Sequence, residues 1–529
     1  MADSNAPSPS DANAHRIEWA RRLLLALSAA LVALLGYQVA LRVRFPWDTF
    51  IWSESPFMTN LMKLSAGESI YQPADAANSF VYAPGLELLC FGLLRPLGLA
   101  LDVRACRVVV VALGVLAAAC GALFVARVVA QAESAAKARR AAVIGAFFVT
   151  CLVLFKNFTA DVCHPDNLHV LHATGTLALL AWALDSKSLR VAAATLVVAS
   201  LGALTKQYAG GAVLGVLGAL FALVPEFRRP ARRWALIAIA ACALGAVVAL
   251  LLRTPSARFW LIEVPSRHAY LPSKLDALTS DVMRVPHRVL LWALTPYAAV
   301  SLYLSGDRRV RTLAAAWVAV GAVEVVPAFL GYFKWMGLWN NLGIVDVWAL
   351  LVVLPVLMAS ASAALSKPSF ALGASFLIVL SSIPCRLPPG PEQYAFGRAI
   401  DGVARDARAR NEVLLVAHGT SYLLHAGMLE PPRDRMNTLL ELVEAELPLP
   451  STALARIREA KYDRIVVHSL PWYGAFSAAI NESYQVERVI PPPAEHAVQR
   501  SYPRYDLAFG FQPDLNSASV RVMVPKRQR

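Results

Sequence analysis

The chain has 529 residues, 57% hydrophobic and only 16% charged, against about 25% charged in ordinary soluble domains, which excludes a typical soluble protein. Its net charge of +14 does not imply a nucleic-acid partner, because the basic residues lie between apolar runs rather than on one soluble face. The seven cysteines sit mostly in or beside those runs without paired metal spacing and carry little information.

Residues 1–22 read as a polar, Ala/Ser/Pro-rich cytoplasmic tail. Leu23 to Leu41 holds no charged residue and is long for the apolar part of a cleaved signal, so it reads as a retained first span. Further apolar segments follow at about 108–126, 141–155, 168–184, 191–205, 208–225, 234–252, 289–305, 312–333, 342–366 and 369–384, giving about eleven spans. Basic residues mark every second connection: Arg16, Arg21 and Arg22, then Arg127 to Arg140, "FRRPARR" (227–233), "GDRRVR" (306–311) and Lys367. The positive-inside rule places these in the cytoplasm. Residues 42–107, 156–167, the turn near 206, 253–288, 334–341 and everything after Pro384 then face outward.

Residues 42–107 are too long for a turn. Their second half, 82–100, is apolar but interrupted by Pro84, Glu87, Arg95 and Pro96, which suits a helix lying in the membrane interface. Residues 253–288 mix basic residues with Phe259, Trp260 and Tyr270, another interfacial pattern. After Pro384 the pattern changes. "EVLLVAHG" (412–419), "YDRIVVHS" (462–469) and "VRVMVP" (520–525) read as buried strands between helical stretches at 436–447 and 452–460. The organisation is therefore an α-helical polytopic membrane domain, 23–385, and a C-terminal soluble α/β domain, 386–529.

The outward segments also collect the ionisable groups. "RFPWDTFIWSESPF" (44–57) sets Asp48 and Glu54 among large aromatics, rings that favour the interface beside acids that favour water. Asp161, His164, Asp166, His169 and His172 follow in 156–172, Lys206 lies in "LTKQYAGG", and Arg258, Arg267 and His268 lie in 253–288. Glu324 falls inside a span. Ionisable groups at membrane depth are costly unless paired or functional. Here carboxylates come from two outer loops and cations from two others, which suits transfer from a lipid phosphate: an acid for general base work and cations for the departing phosphate. The simpler readings are a solvated Asp48, Glu54 capping a helix near Pro56, Asp166 as a first-turn helix acid, and His169 and His172 as satisfied polar groups. Lys206 would snorkel, Arg258, Arg267 and His268 would anchor headgroups, and Glu324 would pair with Lys334.

"PWDTFIWSESPF", "GESIY", "FVYAPG", "DVCHPDN" and "TKQ" together resemble the C-type (GT-C fold) membrane glycosyltransferases, which include polyprenyl-phosphate-dependent mannosyl- and aminoarabinosyltransferases. The resemblance covers roughly residues 15–385 in layout. It implies a polyprenyl-phosphate-linked sugar donor, a lipid, glycan or protein acceptor, membrane lipids as surroundings and no nucleic acid. It places the base at Asp48, with Glu54 as the second choice; the outward cations Lys206, Arg258, Arg267 and His268 are, from the residues themselves, the candidate donor-phosphate contacts. Asp161, His164, Asp166 and Glu324 would support the site or hold a divalent metal, which the sequence permits without requiring. The double acid common in the family directly after span one is absent, since Thr49 follows Asp48. A secondary transporter would show repeats and midplane charges, and neither is visible; a non-catalytic envelope scaffold is the other alternative. The expected location is the inner membrane, multi-pass, with the C-terminal domain in the periplasm. A reporter active only in the cytoplasm, fused after Arg529, should be silent; a bright one would overturn the odd span count.

Overall fold

The computed structural model describes residues 9–48, 54–129, 136–155, 160–283, 286–334, 337, 340–360, 388–417, 419–468, 474–492 and 519–526. Its long helices are α1 (Pro9–Arg44), α4 (Val103–Val129), α5 (Ala136–Phe155), α6 (Asp166–Ser186), α7 (Leu189–Leu201), α8 (Ala212–Leu223), α9 (Pro230–Leu251), α13 (Pro286–Tyr303), α14 (Arg308–Tyr332) and α15 (Asn340–Ser360). Ten of the eleven expected spans fall on these helices. The eleventh, 369–384, and the end of the tenth lie outside the described residues. Among the described residues, five helices are long and apolar enough to cross a membrane by themselves: α4, α6, α9, α14 and the Asn340–Leu357 part of α15. Around α4 and α6 an apolar core joins α5, α7, α8, α14 and α15.

The two ends of this bundle differ in chemistry. At one end Arg127, Arg309 and Asp185 form a salt-bridged group, and Lys187 pairs with Glu226. At the other, about 30 Å away along α6 at 1.5 Å per residue, lie Asp166, Lys206 and Asn340. The basic connections after α4 and before α14 thus meet at one end, as the alternation of basic residues predicts.

The first outer loop folds into α2 (Ser55–Ser65) and α3 (Gly85–Leu94), the latter within the expected interfacial stretch. Gly85 is required there by contact: a Cβ would lie 2.3 Å from the Leu204 carbonyl oxygen. Buried Lys63 on α2 donates to the Ile70 and Asn78 carbonyls and so ties down residues 66–80. The third outer loop contains the short helices α10 (Pro255–Arg258), α11 (Val264–Arg267) and α12 (Lys274–Met283). Trp260 in this loop is buried rather than interfacial, and its indole N–H donates to the Gln72 carbonyl at 2.8 Å.

The C-terminal region forms α16 (Pro391–Ala409), β1 (Leu414–Val416), α17 (Thr420–His425), α18 (Met436–Glu444), α19 (Ser451–Arg458), β2 (Arg464–His468), α20 (Gly474–Ser483), β3 (Tyr484–Ile490) and β4 (Val520–Pro525). The sheet order is β1-β2-β4-β3, with β1 parallel to β2 and the other pairs antiparallel. All three expected strands are present, and β3 is an addition.

The expected anchoring of the first-loop aromatics in headgroups does not hold for those described. Phe45, Trp47 and Phe57 are buried. Trp47 packs among Phe45, Tyr394, Tyr422 and His425, against Gly397 of α16, where a Cβ would meet the indole at 2.2 Å. The C-terminal domain covers these rings, a contact across about 350 residues that local composition does not encode. Phe50 and Trp52 lie outside the described residues.

On α3, Glu87 is fully buried and accepts from the Asn60 side chain at 2.7 Å, and burial pushes its carboxyl from 4.5 up to about 7. Its protonated form favours the folded state, so that contribution is complete below about pH 4.5 and is lost as pH rises toward 7. Glu87→Gln keeps an acceptor for Asn60 without the buried charge. It should raise stability at pH 8 by roughly 1–3 kcal/mol and change little at pH 4.5, as read from melting in detergent. An equal effect at both pH values would show that Glu87 does not titrate in this range.

Candidate functional site

Two buried polar groups meet beneath the C-terminal domain. The first is built on Arg107, in the opening turn of α4, whose side chain is wholly buried. Its guanidinium pairs with Glu54 through two nitrogens and donates to the carbonyls of Trp47 at 2.6 Å and Arg42 at 3.2 Å. Glu54 also accepts from the Cys163 N–H at 2.8 Å, and Arg42 pairs with Asp161. Glu54 and Asp161 are thus committed to arginines, which limits both as catalytic or metal-binding groups.

Asp48 hangs from this frame. Its Oδ2 accepts from the backbone N–H groups of Glu54 and Ser55 at 3.1 and 2.9 Å and from the Ser55 hydroxyl at 3.0 Å. Asp48, rather than Glu54, therefore caps α2, where exposed N–H groups favour an acid. The Asp48 N–H donates to the Ser421 hydroxyl at 2.7 Å, and the Ser55 hydroxyl accepts from the Thr420 N–H at 3.0 Å, so the starts of α2 and α17 hold the acid together. Burial and the charge of Glu54 push the Asp48 carboxyl well above the usual carboxylate range, with Arg107 opposing them. It is not a solvated loop acid.

The second group centres on Asp166 at the start of α6. Its carboxylate lies 2.9 Å from His164, 3.1 Å from Lys206 and 3.1 Å from the Asn340 amide. Lys206 is buried, with extended backbone between two 3-10 turns, and also donates to Asn341 at 3.2 Å. It stands between the end of α7 and the start of α8. Lys206 is buried and paired with Asp166, so it does not snorkel. The two groups touch through 160–166: Cys163 bonds Glu54, and the His164 ring meets Phe57 of α2 and Tyr82, each with ring centres 5.4 Å apart. Burial, then the charges of Asp166 and Glu441, push the Tyr82 hydroxyl upward.

The other expected residues lie elsewhere. Glu324 pairs with His169 at 2.8 Å and His172 at 3.1 Å on one face of α6, not with Lys334, whose ammonium donates to the Pro265 carbonyl. Arg258 and Arg267 are exposed and engaged locally, Arg258 with the Leu252 carbonyl and Arg267 with Glu263. His268 lies against Glu441 of α18 at 3.3 Å. Among the described residues, Lys206 contacts Asp166 and Asn341, whereas Arg258, Arg267 and His268 each engage other partners. The four suggested metal residues, Asp161, His164, Asp166 and Glu324, likewise divide among three clusters.

No family model matches the sequence, and no curated protein does. Solved structures do. ArnT from Cupriavidus metallidurans, in its structure bound to undecaprenyl phosphate, matches over 94% of this chain and 97% of its own, with a TM-score of 0.55 at 11% identity. The chain has the fold of ArnT. An oligosaccharyltransferase from Archaeoglobus fulgidus tethered to an acceptor peptide covers 88% of this chain and 72% of its own, with a TM-score of 0.48 at 12% identity. The match spans both the long apolar helices and the small C-terminal sheet, the layout expected from the sequence.

Arg107, Arg42 and Ser421 were not among the expected site residues. Arg107 borders the apolar run 108–126, and an arginine at the edge of a span is the signal that marks it. Ser421 carries no such signal. Arg107→Met leaves Glu54 buried without its guanidinium, a change costing about 3–5 kcal/mol. Adding Glu54→Gln should recover part of that loss of melting temperature. A single variant as stable as the parent would show that the ion pair does not hold this frame.

Proposed function

We propose that this protein is an integral membrane glycosyltransferase that moves a sugar from a polyprenyl-phosphate donor to an acceptor on the outer face of the inner membrane. The observation that carries the reading is the link, through Cys163 and His164, between a buried acid held at a helix start and a buried lysine paired with Asp166. ArnT supports the choice of donor, since its structure holds undecaprenyl phosphate on the same fold. The positive-inside rule supports a cytoplasmic salt-bridged end and an outward-facing site.

In this reading the oxygen of an acceptor hydroxyl attacks the anomeric carbon of the donor sugar. Its proton passes to Asp48 while the bond from the anomeric carbon to the phosphate oxygen breaks and the electron pair leaves on the polyprenyl phosphate. Lys206 stabilises the charge on that phosphate, and Asp166, itself held by Asn340, positions the ammonium. A base whose pKa lies above the ordinary carboxylate range is matched to proton removal nearer neutral pH. The polyprenyl chain remains in the bilayer.

Purified protein incubated with a panel of polyprenyl-phosphate sugars tests both roles. Asp48→Asn should lower turnover by at least about a hundredfold with donor binding retained, and the acidic limb of the parent's pH profile should lie above pH 4 because the folded carboxyl is raised. Lys206→Ala should weaken donor use by roughly ten- to a hundredfold. Full activity in both variants would remove these groups from the chemistry.

A further inference from the structure

The third outer loop and the C-terminal domain meet at His268, Glu441 and Glu444. Among the described residues these form one set of three in which a ligand atom from each lies within 4.8 Å of the others. The set joins two segments more than 170 residues apart: His268 follows α11, and the two glutamates stand three apart on α18, on one helical face. The ion-pair partner of Glu441 among the described residues is the His268 ring, at 3.3 Å. Lys334, which follows in the next outer connection, donates to the Pro265 carbonyl and lies over the Tyr270 ring.

We propose that His268, Glu441 and Glu444 bind a divalent transition-metal ion that fastens the C-terminal domain to the third outer loop. An imidazole nitrogen and two carboxylates suit zinc or manganese rather than a soft, thiolate-seeking ion. Three protein ligands leave at least one position for water or an oxyanion. The ion links α18 to the segment that follows α11. The set is distinct from Asp161, His164, Asp166 and Glu324, and its binding can be measured without any sugar transfer, so its failure and that of the transferase reading are separable.

Tag-free protein in detergent, stripped with chelator, is titrated with zinc chloride and separately with manganese chloride by calorimetry, and its metal content is measured after gel filtration. The parent is expected to retain about one ion per chain and to melt at a higher temperature with the ion than without. His268→Asn, Glu441→Gln and Glu444→Gln should each weaken binding at least about tenfold and lose that melting increment, while their metal-free melting stays near that of the metal-free parent. Glu226→Gln, at the opposite end of the bundle beside Lys187, should bind as the parent does. Absence of uptake by the stripped parent, or full binding in all three ligand variants, would overturn the site.

Discussion

A guanidinium sealed from water sets the terms for the outer half of this molecule. Arg107 has a fixed fork of donors and no means of shedding its charge, so whatever surrounds it must supply acceptors. The chain does so with the Glu54 carboxylate and backbone carbonyls from the segment that leaves α1. Those bonds give an otherwise irregular loop a fixed path, and Asp48 lies on that path. The same carboxylate accepts from Cys163, so the second outer loop inherits its position from the first. Three segments distant in sequence are thereby registered to one another before any apolar packing is counted.

Much of the membrane architecture was readable because the signal is local. Runs of apolar residues and the alternation of basic connections report span and end independently of partners, and the helices follow them. Strands β1, β2 and β4 were visible for a related reason: each is a short apolar run. Strand β3 was not, because "YQVERVI" is buried only at its two ends and carries no periodic apolar face. The start of helix α2 was legible, since Pro56 marks its first turn, but its mixed composition left its extent unread.

The site was legible as a list and illegible as a map. Asp48, Asp166 and Lys206 could be named because acids and lysines beside spans are costly. Which acid meets which cation depends on pairings such as Glu54 with Arg107, 53 residues apart, or Glu324 with His169, 155 apart. No local pattern carries those distances. The same limit explains why Arg258 and Arg267, equally basic on paper, prove to be surface residues, and why Glu324 finds histidines instead of Lys334.

The seat of Trp47 has a consequence for how the protein comes into being. The indole precedes Asp48 by one residue and is translated early, yet the pocket that receives it is made by Gly397, Tyr394, Tyr422 and His425. A ribosome reaches those codons only after nearly every transmembrane helix has been threaded. A nascent chain therefore carries its acid loop half-built through most of its own insertion. The last domain to emerge is the one that seats Trp47, so a truncated product would enter the bilayer with the acid present and its setting missing.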